Sequence, residues 1–270
     1  MTRPEGVVGR DAYDDAMAEL PASVRLALWV TSSWQGRLSL DEALRRSFPG
    51  IDHVGGDVRR VELWHDLGEQ ALFVALPRPG DVSAMPRTSP EALAHAAEAG
   101  ECLYAAGIGG LLVPTLTEFG PEGDVGLRAD WTAYDAQPVP THRLEMLDLA
   151  HTERTLLASV RRHSDDLEAV GGSPWGSAHR AAAEQSLDRG LWGLPPETPV
   201  RSLRVISLAA RVSALVDIAG RVGQLAPGAV DASTSSGREG LLRSLLADAD
   251  TALAEATNVA VMTIAGWRPE

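Results

Sequence analysis

One stripe of side chains in the first half of the chain has the chemistry of a metal site. Glu91, His95, Glu98 and Cys102 fall within roughly 60° of one another when the segment is projected as a helix. Carboxylate, imidazole and thiolate groups are ligands that zinc and similar metals accept. The opposite side of this helix is apolar and predicted to be buried, so the stripe is predicted to face solvent. An ordinary polar helix face is therefore the favoured interpretation, and we expect no resident metal or cofactor.

A second set of candidates belongs to the second half of the chain. Arg204 and Arg211 lie seven residues apart on a strongly apolar predicted helix, and His142 and Glu153 fall on the inward side of an earlier helix. A guanidinium group that faces a core needs an anionic partner, which Glu153 could supply. These four residues are candidates for a catalytic or anion-binding pocket. A buried ion pair that fixes the register of the helices is the favoured interpretation.

Two tryptophans are candidates for a protein-binding surface. Trp175 and Trp192 flank an alanine-rich predicted helix with loops on either side. Exposed tryptophan is typical of the residues that dominate binding energy in protein interfaces. Because tryptophan is usually mostly buried, closure of one end of a helical bundle is the favoured interpretation.

The composition excludes several kinds of chemistry. All 24 basic residues are arginine, so Schiff-base chemistry, pyridoxal phosphate attachment and the lysine-dependent sites of P-loop proteins and kinases are excluded. The single cysteine, Cys102, excludes intrachain disulfides, iron-sulfur clusters and multi-cysteine zinc sites. The chain has one asparagine, Asn258. Lysine and asparagine both use adenine-rich codons, so a GC-rich genome is the favoured explanation.

The net charge of -13 disfavours nucleic acid as a partner. Residues 1–140 hold 11 arginines against 21 acidic residues, and residues 141–270 hold 13 against 16. The first half is therefore the acidic one, which favours a basic protein partner. No signal-like segment and no apolar run of membrane-spanning length is present in the sequence, so we expect a cytoplasmic protein with no membrane partner.

The elements that position these residues divide at a proline-rich joint, 137–140. In the first half, the patterns predict helices at 39–48 and 90–106, and strands at 58–65, 70–76, 110–119 and 125–134. The segment 22–34 alternates like a strand, but its uninterrupted length favours a buried helix. Residues 66–69 and 120–124 are predicted to be hairpin turns. Two hairpins around a helix predict an antiparallel sheet with helices on one face.

The second half is predicted to be entirely helical. Helical patterns occupy about 141–170, 174–190, 198–226 and 237–266, with short joints between them. The segment 198–226 is apolar on nearly every side, so it is predicted to be the enclosed central helix. The overall prediction is an α+β protein: an acidic α+β domain at 1–138 and an antiparallel four-helix bundle at 141–270.

The predicted function is a non-catalytic protein-binding adaptor, regulator or chaperone-like protein. The expected partner is another protein with a basic or apolar surface, and a homodimer is left open. The alternative is an enzyme, metal-assisted in one version, with a polar pocket between the two halves. In that alternative, His142, Glu145 and the two arginines would meet residues from the sheet domain.

Overall fold

A computed structural model describes residues 20–121, 124–170, 193–225 and 232–269 of the chain. These residues form five strands and eight helices in a mixed α+β arrangement. The strands are β1 (His53–Gly56), β2 (Leu72–Ala75), β3 (Cys102–Ala105), β4 (Gly110–Phe119) and β5 (Gly126–Asp135). The helices are α1 (Ala22–Trp34), α2 (Leu40–Ser47), α3 (Arg60–Asp66), α4 (Pro90–Ala99), α5 (Thr141–Glu145), α6 (Leu149–Val170), α7 (Val200–Leu225) and α8 (Ala232–Ile264).

The five strands form one mixed sheet in the order β1-β5-β4-β3-β2. The predicted hairpin of β4 and β5 is present and pairs antiparallel over ten residues, from Gly110 with Asp135 to Phe119 with Gly126. β1, in contrast, runs parallel to β5, so the prediction of a purely antiparallel sheet is wrong. The sequence did not reveal β1, because a four-residue strand that contains two glycines carries no alternating pattern.

Two helices begin close to their predicted starts at residues 39 and 90, and each start has a side-chain cap. The Ser39 hydroxyl accepts a hydrogen bond from the Glu42 amide at 3.3 Å, and the Ser89 hydroxyl accepts one from the Ala92 amide at 3.2 Å. The second of these helices, α4, ends earlier than predicted. Gly100 terminates it with a left-handed backbone (φ 73°), so residues 102–105 are free to form β3.

The predicted strand at 58–65 is wrong, because most of this segment is the helix α3. Its two buried side chains, Val61 and Trp64, lie three residues apart, which is the spacing of one helix face. Residues 66–69 therefore connect a helix to β2 and do not close a hairpin. The tryptophan helps to build the core beneath the sheet, where a side chain at Gly110 would collide with its ring.

All regular structure described beyond Pro140 is helical, but the four-helix bundle is not confirmed. The predicted segment 174–190 lies outside the described residues, and 141–170 is divided into α5 and α6. The helix α8 contacts α6, α7, α1 and β2, whereas α7 contacts mainly α8. The expectation of an enclosed helix at 198–226 holds only in part: Val205, Ile206 and Val212 are buried, whereas Val200 is 74% exposed and Leu203 is 36% exposed. The central helix is α8.

One apolar core extends across the predicted domain joint. Buried residues of α1 and of the sheet belong to the same cluster as Ile206 of α7 and Leu253 and Met262 of α8. The indole of Trp267, just after α8, lies against the ring of Phe73 in β2, with centroids 5.6 Å apart. The predicted division at 138–141 stays a prediction, and the helical half contributes directly to the core of the sheet half.

The outer edge of β2 is covered by side chains instead of another strand. The Val74 amide donates to Asn258 Oδ1 at 2.8 Å, and Asn258 Nδ2 donates to the Val74 carbonyl at 3.0 Å. The Leu72 amide donates to Thr31 Oγ1 at 3.0 Å. A buried backbone group without a partner costs free energy, so these side chains complete the sheet at this edge. They also fix α8 and α1 against it.

We expect Asn258→Leu to lower the free energy of unfolding by about 2 to 6 kcal/mol. The substitution leaves the amide and the carbonyl of Val74 buried without partners, and each such group costs about 1 to 3 kcal/mol. Urea unfolding of the purified variant measures the loss.

The control is Thr251→Ala on the same helix, which removes an exposed hydroxyl bonded only to the Ala247 carbonyl of its own helix. This control should stay within about 0.5 kcal/mol of wild type. Equal stability of Asn258→Leu and wild type would contradict the role of the amide.

Candidate functional site

The four residues of the predicted metal stripe do not come together. Glu91 and Glu98 are exposed on α4, His95 is half-buried against the sheet, and Cys102 is fully buried on β3. The projection failed because α4 ends before Cys102. Burial raises the pKa of the Cys102 thiol, which disfavours the thiolate. Within the described residues, no group of three or more His, Cys, Asp and Glu side chains could hold a metal ion.

His95 forms a different constellation from the one predicted. Its Nδ1 lies 2.9 Å from the hydroxyl of Tyr134 on β5, and its Nε2 lies 2.8 Å from the hydroxyl of Thr115 on β4. In a neutral imidazole one nitrogen donates and the other accepts, and each hydroxyl can take either role. Both ring nitrogens are therefore occupied, and the network holds α4 on the sheet.

A hydroxyl, an imidazole and a third orienting group also form the arrangement that activates nucleophiles in hydrolases. Here the third group is a phenol instead of a carboxylate, and burial raises the pKa of Tyr134 above its ordinary value. A neutral phenol supplies no charge to stabilise an imidazolium. We therefore interpret the Thr115, His95 and Tyr134 network as a structural contact.

The second set of candidates is also dispersed. Arg204 and Arg211 are exposed on α7, His142 is exposed on α5, and Glu153 is half-buried on α6. The predicted inward direction of the arginines is wrong. The buried face of α7 is formed by residues such as Val205, and its apolar residues on other faces are only partly covered. Trp175 and Trp192 lie outside the described residues.

A cavity of about 300 Å³ lies where the sheet half meets the helical half. It is lined by the end of β2 and the loop that follows, by Tyr104 of β3, by the α5 region and by α8. The predicted pocket at the junction therefore has a counterpart, but the α5 region contributes Arg143 and Leu144 to it, whereas His142 and Glu145 are absent from its lining. The loop between β2 and α4, which contains Asp81, supplies a wall of the cavity.

Polar side chains of α8 build the floor of this junction cavity. The Asp250 carboxylate is 2% exposed and forms an ion pair with Arg78 of the loop after β2. The carboxylate of Glu255 accepts a hydrogen bond from the Thr152 hydroxyl at 2.6 Å, which links α8 to α6. Asn258 completes this face of the helix. Sequence reasoning missed these residues. The available signal was that Asp250 and Asn258 lie eight positions apart in an apolar helix, which indicates that a polar face points inward.

In the part of the chain that the structure describes, the opposite edge of the sheet, at β1, is open. In the described residues β1 pairs only with β5, and His53, Val54 and Gly56 are exposed. An unpaired edge strand presents backbone N–H and C=O groups to solvent and can pair with another chain. Proteins usually cover such an edge, as Asn258 and Thr31 do at β2.

Apolar side chains surround the open edge at the tip of the β4 and β5 hairpin. Val54 and Phe119 are each 38% exposed, and Val125 is 57% exposed. The rings of Phe119 and His53 lie against each other, with centroids 5.1 Å apart. We call the backbone of β1 together with Val54, Phe119 and Val125 the β1 edge surface.

Two models of protein families match the chain. The N-terminal domain of Rv1486c-like proteins matches residues 23–145, and the C-terminal domain of Rv1486c-like proteins matches residues 150–254. No curated protein and no solved structure matches the chain.

We expect acidification to remove the stabilising contribution of the His95 network. Burial lowers the pKa of His95 below its ordinary value of 6.5, although the carboxylates of Glu98 and Glu91 oppose the shift. The unfolded chain therefore binds the proton more readily than the folded chain. The contribution is present above about pH 6.5 and is lost as the pH falls through the lower pKa of the folded state. Urea unfolding between pH 8 and pH 5 should show a steeper loss for wild type than for His95→Gln.

The control for this titration is His151→Gln, which replaces an exposed histidine on α6. It should retain the pH dependence of wild type. A pKa of His95 above 6.5 in an NMR titration of the folded protein would contradict the argument.

Proposed function

We propose that the chain, whose residues 23–145 and 150–254 match the two domain models of the Rv1486c-like proteins, is a non-catalytic protein-binding adaptor, regulator or chaperone-like protein. Its partner adds an extended segment to the β1 edge surface. The observation that supports this proposal is the contrast between the two edges of the sheet: side chains cover β2, whereas β1 is exposed and bordered by apolar groups. Addition of a strand to an open edge is a common mode of peptide recognition, in which backbone hydrogen bonds supply affinity.

The charges at β1 favour a basic segment. Asp52 and Asp57 lie immediately before and after the strand, and both are exposed. They accept hydrogen bonds from the Leu127 and Ala133 amides, and neither has a cationic partner among the described residues. The neighbouring guanidinium on β5, that of Arg128, is paired with Asp130. Arginine or lysine at both ends of a short apolar segment would complement these two carboxylates.

The alternative is an enzyme that acts in the junction cavity. The cavity is the observation that favours it, since pockets between structural units are common ligand sites. However, the most buried carboxylate of the cavity, that of Asp250, is paired with Arg78. The side-chain amide of Asn258 is bonded to Val74. These groups hold the two halves together, so we assign binding to the cavity and no reaction.

We propose that nucleic acid is not a partner, because the net charge of the chain is -13. We also propose a cytoplasmic location. None of the described helices is long and apolar enough to cross a bilayer. A second copy of the chain is the competing occupant of the β1 edge surface, and the experiment below separates it from a different partner.

We expect the substitutions Val54→Arg and Phe119→Arg to weaken partner binding at least about tenfold, which corresponds to about 1.4 kcal/mol. A cation placed at the edge repels a basic segment and removes apolar contact area. A pull-down from native lysate identifies the stoichiometric partner. Calorimetry with the purified partner then measures affinity, and hydrogen exchange maps protection of the amides of residues 53–56.

The matched control is Val200→Arg, which introduces the same side chain at a valine of α7 that is 74% exposed. It should bind like wild type. Recovery of no stoichiometric partner, equal affinity of all three variants, or protection by a second copy alone would each overturn the proposal.

A further inference from the structure

The junction cavity is lined by a tyrosine whose hydroxyl has no hydrogen-bond partner among the described residues. Tyr104 is 3% exposed and lines the cavity. Its ring stacks on Phe73, and none of the described residues forms a hydrogen bond with its hydroxyl. Burial raises the pKa of this phenol, so the group is a neutral O–H that can donate and accept. A hydroxyl that lines a cavity and has no protein partner among the described residues is available to bond a molecule in that space, which makes it a recognition group.

The charges that line the cavity are predominantly negative. The lining contains the carboxylates of Asp81, Asp250 and Glu255 against one guanidinium, that of exposed Arg143. Asp250 is compensated by Arg78. Glu255 accepts a bond only from a neutral hydroxyl in the described structure, and Asp81 only from Ser83. These hydrogen bonds from Ser83 lower the pKa of Asp81, which keeps that carboxylate ionised.

The remaining walls of the cavity are apolar. Aliphatic carbon from the end of β2, α5 and α8 faces the space, including Leu76, Leu144 and Ala254. A volume of about 300 Å³ is at the lower limit for sites that hold small molecules. The space therefore suits a short aliphatic chain that ends in one polar head.

We propose that the junction cavity binds an alkylguanidinium or alkylammonium group, with the cationic head near Glu255 and Asp81, the Tyr104 hydroxyl as an additional hydrogen-bond partner, and the aliphatic stem along the apolar wall. This chemistry is shared by free small amines and by arginine or lysine side chains of a protein partner. The site is separate from the β1 edge surface and does not rest on the proposed function.

The experiment uses the full chain and calorimetric titration with n-butylguanidinium as the probe. We expect saturable binding that is about tenfold weaker in Glu255→Gln and several-fold weaker in Tyr104→Phe. Neutral n-butylurea, which has nearly the same shape, should bind at least about tenfold more weakly than the cation. Butyrate tests the opposite charge and should not bind.

Tyr104→Phe separates recognition from folding. Because the hydroxyl has no partner in the described structure, its removal should leave the urea midpoint equal to or above that of wild type while binding falls. Glu118→Gln, at an exposed acidic residue on β4, is the charge-matched control and should bind the probe like wild type. Val54→Arg should also leave binding unchanged, which distinguishes this site from the partner surface.

Two further ligands identify the source of the cation. Comparable affinity for free agmatine and for a blocked Gly-Arg-Gly peptide supports a small free amine, and clearly tighter binding of the peptide supports a partner side chain. The proposal is overturned if n-butylurea or butyrate binds as well as the cation, if no saturable binding is detected, or if Glu255→Gln leaves the affinity unchanged.

Discussion

The two hydrogen bonds between Asn258 and Val74 are the constraint on which the rest of the structure depends. A planar amide presents a donor and an acceptor side by side, as the backbone of a neighbouring strand does. The side chain thus ends the sheet at β2 and fixes α8 there at the same time. The junction cavity follows from this arrangement, because α8 is held close enough to the loop after β2 to enclose a space. Among the described residues the sheet has one covered edge, at β2, and one open edge, at β1.

The cavity is held at two points along α8. Asn258 contacts β2, and Asp250, eight residues earlier and so roughly 12 Å along the helix, contacts Arg78. Between them Glu255 connects to α6. Three different parts of the chain are therefore attached to one helix face, and the walls of the cavity are positioned by polar contacts instead of by apolar packing alone. Such contacts are directional, which gives the space a defined shape.

The sequence was sufficient where a local signal decides the structure. Local patterns predicted the helix starts near residues 39 and 90 and the strands β4 and β5, and the lack of strand patterns after residue 140 predicted a helical half. It failed where a short segment depends on distant neighbours. β1 pairs with a strand more than 70 residues later, β3 was absorbed into the pattern of α4, and α3 resembled a strand. The cavity combines residues near positions 81, 104, 143 and 255, and no local pattern connects segments so far apart.

The single asparagine has a chemical consequence for ageing of the protein. Asparagine is among the thermolabile residues, and here every lesion of that type would fall on one side chain. Hydrolysis of the Asn258 amide would keep an acceptor for the Val74 N–H but would turn a second oxygen toward the Val74 carbonyl. Two acceptors would then face each other inside the core, and damage to one bond would loosen the attachment of the helical half to the sheet.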